Sequence, residues 1–156
     1  MLVEIARQGP GERAAPRPGI KLRCGGLNAA AFPGVEQVAF VIACCRDKGV
    51  PLKATAGLHH PLHHHDANLQ TKMHGFLNVF VAGVLANARG LPESEIRQIL
   101  EDERSDGFRF GPERLQWRDV AASIDEIAHA RREWIISFGS CSFDEPRDDL
   151  RALGLL

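Results

Sequence analysis

Two short segments of this chain copy each other. Lys21-Leu22-Arg23-Cys24-Gly25 and Lys53-Ala54-Thr55-Ala56-Gly57 align without a gap at an offset of 32 residues. Each reads as a strand that ends on glycine. Between them lies VEQVAFVIACCRDKG, in which Val35, Val38, Ala39 and Ile42 recur at helical spacing and Gly49 supplies the usual left-handed terminator. Strand, helix and strand in immediate succession predict a βαβ unit, with parallel strands joined by a right-handed crossover. Side chains alternate along a strand with a period of two, so the Lys, the Arg or Thr, and the Gly of each segment share one face. The chain has four lysines, and two of them occupy this equivalent place.

Downstream the pattern turns mainly helical. Met73 to Ala88 is apolar almost all round, through Phe76, Leu77, Val79, Phe80, Val81, Val84 and Leu85, which predicts a buried helix ended by Arg89-Gly90. Pro92 opens a helix to about Glu103. FRFGPERLQWRD alternates large and charged residues about a Gly-Pro turn, the signature of a hairpin. Ser123 to about Ile136 is helical with Ile124, Ile127 and Ala128 inward; the segment from Ser137 reads as a short extended piece, and a last helix starts at Pro146. Residues 1–18 begin with a short helical pattern over 1–8 and are then broken by Gly9, Pro10, Gly11, Pro16 and Pro18; they read as a flexible arm or linker. Residues 19–156 are long enough for a single domain. The fold class is α/β. The βαβ unit with trailing helices looks like the C-terminal half of a (β/α)8 barrel, because a whole barrel needs at least ~200 residues. Half a barrel leaves sheet edges open, so a homo-oligomer is expected.

Charge narrows the partners. The formal net charge is −1 with both signs interspersed, which predicts no nucleic-acid partner and no anionic membrane partner. No apolar h-region follows the N-terminus, and the apolar run around Val79 to Ala88 is too short to span a bilayer, so a cytoplasmic protein is expected. Cys24, Cys44, Cys45 and Cys141 lack any C-x-x-C spacing, and Cys44 and Cys45 fall in a helical pattern where thiols act as small hydrophobes. Cys141, within GSCS, has no histidine nearby in sequence to activate it.

The stretch PLKATAGLHHPLHHH, Pro51 to His65, carries most of the candidate chemistry. Lys53 is flanked by apolar residues, which predicts a desolvated amine; such a setting favours the neutral form that attacks carbonyls, and Lys21 on the adjacent strand adds to the effect. His59 and His60 follow the carboxyl end of a parallel strand, where α/β folds place their binding groups, and are the proton-transfer candidates. Arg23, Gly25, Gly26, Thr55 and Gly57 are candidate substrate-binding positions on the same face or strand end. The backbone amides of Gly25-Gly26 and Gly139-Ser140 suit a phosphate cradle. His74 and Asn78 stand four apart on an apolar helix; they either face the same cavity as His59 or satisfy each other's hydrogen bonds. The expected partner is a small molecule, with no cofactor. The alternative is zinc: His59 and His63, and His60 and His64, are each four apart, and His65-Asp66 adds a carboxylate, so a site on His59, His60, His63, His64 and Asp66 can be drawn. Pro61 interrupts the regular spacing such a site would use.

The blocks KLRCGG, KATAGLHHP, HGFLN and FGSCSFDEP together resemble a family of uncharacterised bacterial proteins, over most of the chain from residue 20 onward. A more distant similarity has mechanistic content. Two successive strands carrying K-x-x-x-G resemble the sixth and seventh strands of the deoxyribose-phosphate aldolase group, class I aldolases built on a TIM barrel. By that resemblance Lys21 matches the Schiff-base lysine and Lys53 the second lysine. Arg23 and Cys24 depart from the small hydroxyl residues of that group, and the histidine loop has no counterpart in it.

Overall fold

The structure is a computed structural model that describes residues 17–139 and 142–156. The expected arm therefore lies outside the described residues apart from Arg17 and Pro18. Arg17 is held: its guanidinium donates to Gly49 O at 3.0 Å and lies over the Trp134 ring.

The repeated segments form the expected unit. Strand β1 (Ile20–Arg23), helix α1 (Val35–Lys48) and strand β2 (Leu52–Thr55) run in order, and the strands are parallel neighbours with Lys21 opposite Lys53 and Arg23 opposite Thr55. Gly49 closes α1 with φ of 63° and donates back to Arg46 O and Cys45 O. The helix buries Val38, Ala39, Ile42, Ala43 and Cys45. Residues 29–48 also have the length and mean hydropathy, 1.3, of a membrane span. That signal is not visible in a search for unbroken apolar runs, because polar residues punctuate the stretch.

Next come a small antiparallel hairpin, β3 (His64–Asp66) and β4 (Thr71–Met73), and helices α2 (Phe76–Arg89) and α3 (Glu93–Glu101). An antiparallel meander follows, β5 (Phe108–Phe110), β6 (Arg114–Trp117) and β7 (Val120–Ser123), whose first two strands are the hairpin expected about the Gly-Pro turn. Helix α4 (Ile124–Glu133) begins with a capping box, in which Ser123 Oγ accepts from Glu126 N–H and the Glu126 carboxylate accepts from Ser123 N–H.

Two expectations fail here. Ile124 is 47 % exposed rather than inward, and the residue that buries the helix is Ala130. The helix also stops at Trp134, short of Ile136: Ile135–Gly139 is a strand, β8, parallel to β2 and on its far side. Leu52 N–H donates to Trp134 O at 2.6 Å, so the backbone that would continue the helix is taken up by the central strand. Chain order ends with α5 (Asp144–Ala152).

The parallel sheet is β1-β2-β8, three strands and open, not a closed barrel. Its inner face, Ile20, Leu22, Leu52, Ala54 and Ile135, joins the core built on α1, α2 and α3. Its outer face carries Lys21, Arg23 and Lys53, all exposed. A register shift between Leu52 and Lys53 brings Ser137 opposite Lys53 and Gly139 opposite Thr55, so two more polar or small positions join that face.

Candidate functional site

The lysines share a face, as the repeat implies, but they are not desolvated: Lys21 and Lys53 are both exposed. The apolar neighbours of Lys53, Leu52 and Ala54, point to the opposite side of the strand and enter the core, which is what a period of two requires. Arg23 Nε donates to Gly25 O at 3.0 Å, fixing the side chain over its own strand end.

The two aligned glycines meet a packing demand. A Cβ on Gly25 would lie 2.9 Å from Gly57 Cα and 2.5 Å from the Phe32 ring, and Gly57 adopts φ of 69°. The strand ends therefore touch through bare backbone beneath Phe32, with no room left there for a substrate. Ala56, just before, takes φ of 62°, a conformation that costs a residue with a Cβ. This pair of left-handed residues turns the chain from β2 into the histidine segment. Cys24 is fully buried, its N–H donates to Thr55 O at 2.8 Å, and burial pushes its thiol up to about 12. Cys45 is pushed up to about 11 by burial, then by Cys44, so both thiols are inert packing groups. Ser140 and Cys141, with the cradle suggested for Gly139-Ser140, lie outside the described residues.

Five of the seven histidines separate into three groups. His59, partly exposed, has its Nδ1 3.5 Å from Glu145 Oε2 in the first turn of α5. Ser142 Oγ accepts from Glu145 N–H at 3.2 Å and fixes that turn. His60 and His64 pack with ring centroids 4.4 Å apart and a tilt of 48°, and His64 Nδ1 donates to Leu62 O at 2.9 Å. Leu62 N–H also approaches His60 Nδ1, at 3.2 Å. His63 and His74 form the third group, with centroids 5.7 Å apart and both rings buried. Burial first, then the neighbouring His74 and Lys72, pushes His63 down to about 4; burial lowers His74 as well.

This separation changes several expected roles. Asp66 Oδ1 accepts from Asn68 N–H and Leu69 N–H at 2.9 and 2.7 Å, so that carboxylate builds the β3–β4 turn. His59, His60, His63, His64 and Asp66 do not converge, and among the described residues no three His, Cys, Asp or Glu side chains are placed to hold a metal ion. His74 lines a cavity together with His63 rather than with His59, and among the described residues it does not pair with Asn78. Its Nε2 donates to Pro33 O at 2.7 Å. Asn78 is instead a hub: Oδ1 accepts from His63 N–H at 2.8 Å, and Nδ2 donates to Ile99 O and Asp102 O, each at 2.7 Å. These bonds tie the histidine segment and α2 to the end of α3, a structural role that leaves Asn78 no polar atom for a substrate.

Glu145 and Ser137 are the neighbours of the candidate residues that spacing alone does not reveal. Glu145 stands within the FGSCSFDEP block, far along the chain from His59, and only the β2–β8 pairing brings them together. No family model matches this chain, and neither a curated protein nor a solved structure does.

Proposed function

We propose that the outer face and carboxyl end of the parallel sheet form the small-molecule site of a lyase- or isomerase-type enzyme acting on a carbonyl compound. The supporting observation is the direct register of Lys21 with Lys53 on an uncovered face, with His59 following β2 and meeting the carboxylate of Glu145 from α5. Lys53 or Lys21 is the nucleophile. Its neutral amine adds to the carbonyl carbon, and the carbinolamine then loses its hydroxyl as water, leaving an iminium. In this reading His59, partnered by Glu145, gives that hydroxyl its proton and moves a proton to or from the adjacent carbon. Thr55, Ser137 and Arg23 supply polar contacts on the same face. Trapping with borohydride and a panel of aldehydes and ketones is expected to leave a reduced adduct on Lys53 or Lys21. Intact lysines with every compound would remove the Schiff-base reading.

A second reading, a non-catalytic half-barrel that self-associates, is favoured by one specific observation. Parallel sheets are ordinarily covered on both faces, yet here one face is open, and β1 and β8 are edge strands of the three-stranded sheet. Both readings need something to cover the face, and in the first a cover also supplies the desolvation that the exposed amines lack. Light scattering across a concentration series tests association; a monomer throughout removes the homo-oligomer.

A further inference from the structure

A cavity of about 450 Å³ opens beside β8, between α2, α4 and the β5–β6 hairpin. Among the described residues none from β2, the neighbour of β8 on its other side, lines it. It therefore lies along the free edge of the sheet. Leu77, Phe80, Leu115 and Ile127 contribute to its wall, and Phe110 and Ile136 stand in it 50 % and 46 % exposed. Apolar surface gathered in a concave site of this volume asks for an apolar occupant of small-molecule size.

Two polar side chains give the groove a direction. Ser137 lines it, and Ser137 is also the residue opposite Lys53. Residues paired across neighbouring strands point to the same side, and such strands lie about 4.8 Å apart. The groove thus adjoins the lysine face at Lys53, whereas Lys21 stands one strand further away. Arg131 is the one charged side chain in the described lining, and no carboxylate stands there with it. Charge complementarity then selects an anion, because a carboxylate matches the fork of a guanidinium and an ammonium is repelled by it.

We propose that the groove holds the hydrocarbon chain of the carbonyl substrate and that Arg131 meets its carboxylate, so that the substrate is a medium-chain oxo acid and Lys53, rather than Lys21, is its nucleophile. This rests on the carbonyl chemistry proposed above for the lysine face. The Lys53 amine and the substrate carbonyl join with loss of one water to give the imine. Chain length is recognised by burial, each methylene taken from water tightening binding by about fourfold.

Calorimetric titration with octanoate, octylamine and acetate tests the groove without any carbonyl. Octanoate is expected to bind one-to-one, acetate at least a hundredfold more weakly, and octylamine not at all. Arg131→Gln and Phe110→Ser, both at exposed positions, should each weaken octanoate at least tenfold. Equal binding of octylamine, indifference to both changes, or a dimer that Phe110→Ser dissociates in a chain that ignores octanoate would overturn the proposal, the last in favour of a second copy in the groove. Borohydride, which reduces the imine to a secondary amine, tests the link to Lys53. With 8-oxooctanoate the adduct is expected on Lys53 in preference to the other three lysines, forming at least tenfold faster than with acetaldehyde, and Arg131→Gln should erase the difference. Equal labelling of Lys53 by both aldehydes, with no octanoate binding, would overturn the groove and leave the lysine chemistry standing. Octanoate binding with no adduct from any carbonyl would overturn the lysine chemistry and the substrate assignment with it.

Discussion

The two lysines of the sheet and the buried pair His63 and His74 are polar pairs placed in opposite environments. Lys21 and Lys53 stand exposed on a regular parallel ladder, whereas His63 and His74 are enclosed and held neutral. The sequence suggests the reverse, because Lys53 has apolar neighbours and His63 lies in a run of polar ones. The lesson is about periodicity. On a strand, the neighbours of a residue occupy the other face, so Leu52 and Ala54 report where Lys53 is not. In the irregular histidine segment no period applies, and burial is decided by a distant residue, Asn78, which takes the backbone N–H of His63.

If the histidine side carries structural energy and the lysine side does not, substitutions on the two should differ sharply. Asn78→Ala leaves His63 N–H and Asp102 O without this partner and takes one of two donors from Ile99 O, and should cost about 3 kcal/mol in urea unfolding. A loss below about 1 kcal/mol would place the hub elsewhere.

The next effect is one of pH. The ordinary value for histidine is 6.5, and His63 in the folded chain sits at about 4. Between these values the unfolded chain binds a proton that the folded chain refuses. Stability is therefore complete above about pH 6.5, falls as pH drops towards 4, and levels off below that. The loss amounts to about 3 kcal/mol. His74, also lowered, acts in the same direction. A His63→Leu variant should show a flatter stability profile over this window, and an unchanged slope would show that other groups produce it.

On the lysine side the effects are small. Ala56→Gly relieves the left-handed alanine and should raise stability by about 0.5–1 kcal/mol despite the added freedom of the unfolded chain. Lys21→Ala and Lys53→Ala should each move stability by no more than about 0.5 kcal/mol, while either can abolish borohydride trapping. A large loss of stability from either lysine change would erase the contrast between the two pairs.

Much of the local architecture was legible in the residues. The gapless repeat gave the parallel pair and its lysine register, Gly49 gave the end of α1, and the Gly-Pro turn gave the β5–β6 hairpin. The piece from Ser137 was legible as extended, but Ile135 and Ile136 were not legible as the start of β8, because a short apolar run that follows a helix reads as more helix until the strand it pairs with is known. The exposure of Ile124 went unseen for a related reason, since the helix turns its small residue, Ala130, inward. Of the candidate site, the shared face of the two lysines was visible from their strand positions, and so was the place of His59 after β2. Glu145 was not, since its approach to His59 depends on tertiary pairing and on no sequence spacing.

That pairing also has a consequence in time. β1 and β2 are separated by one helix, but β8 reaches β2 only after two hairpin-forming segments and three further helices have been threaded between them. Closing so long a loop is entropically dearer and slower than closing the first crossover. The sheet should therefore assemble in two stages, with the β1–β2 amides protected early and those of β8 late in pulse-labelled hydrogen exchange. His59 would meet Glu145 only at the end, so a chain caught midway through folding would already carry its lysine ladder but not yet the contact between His59 and Glu145.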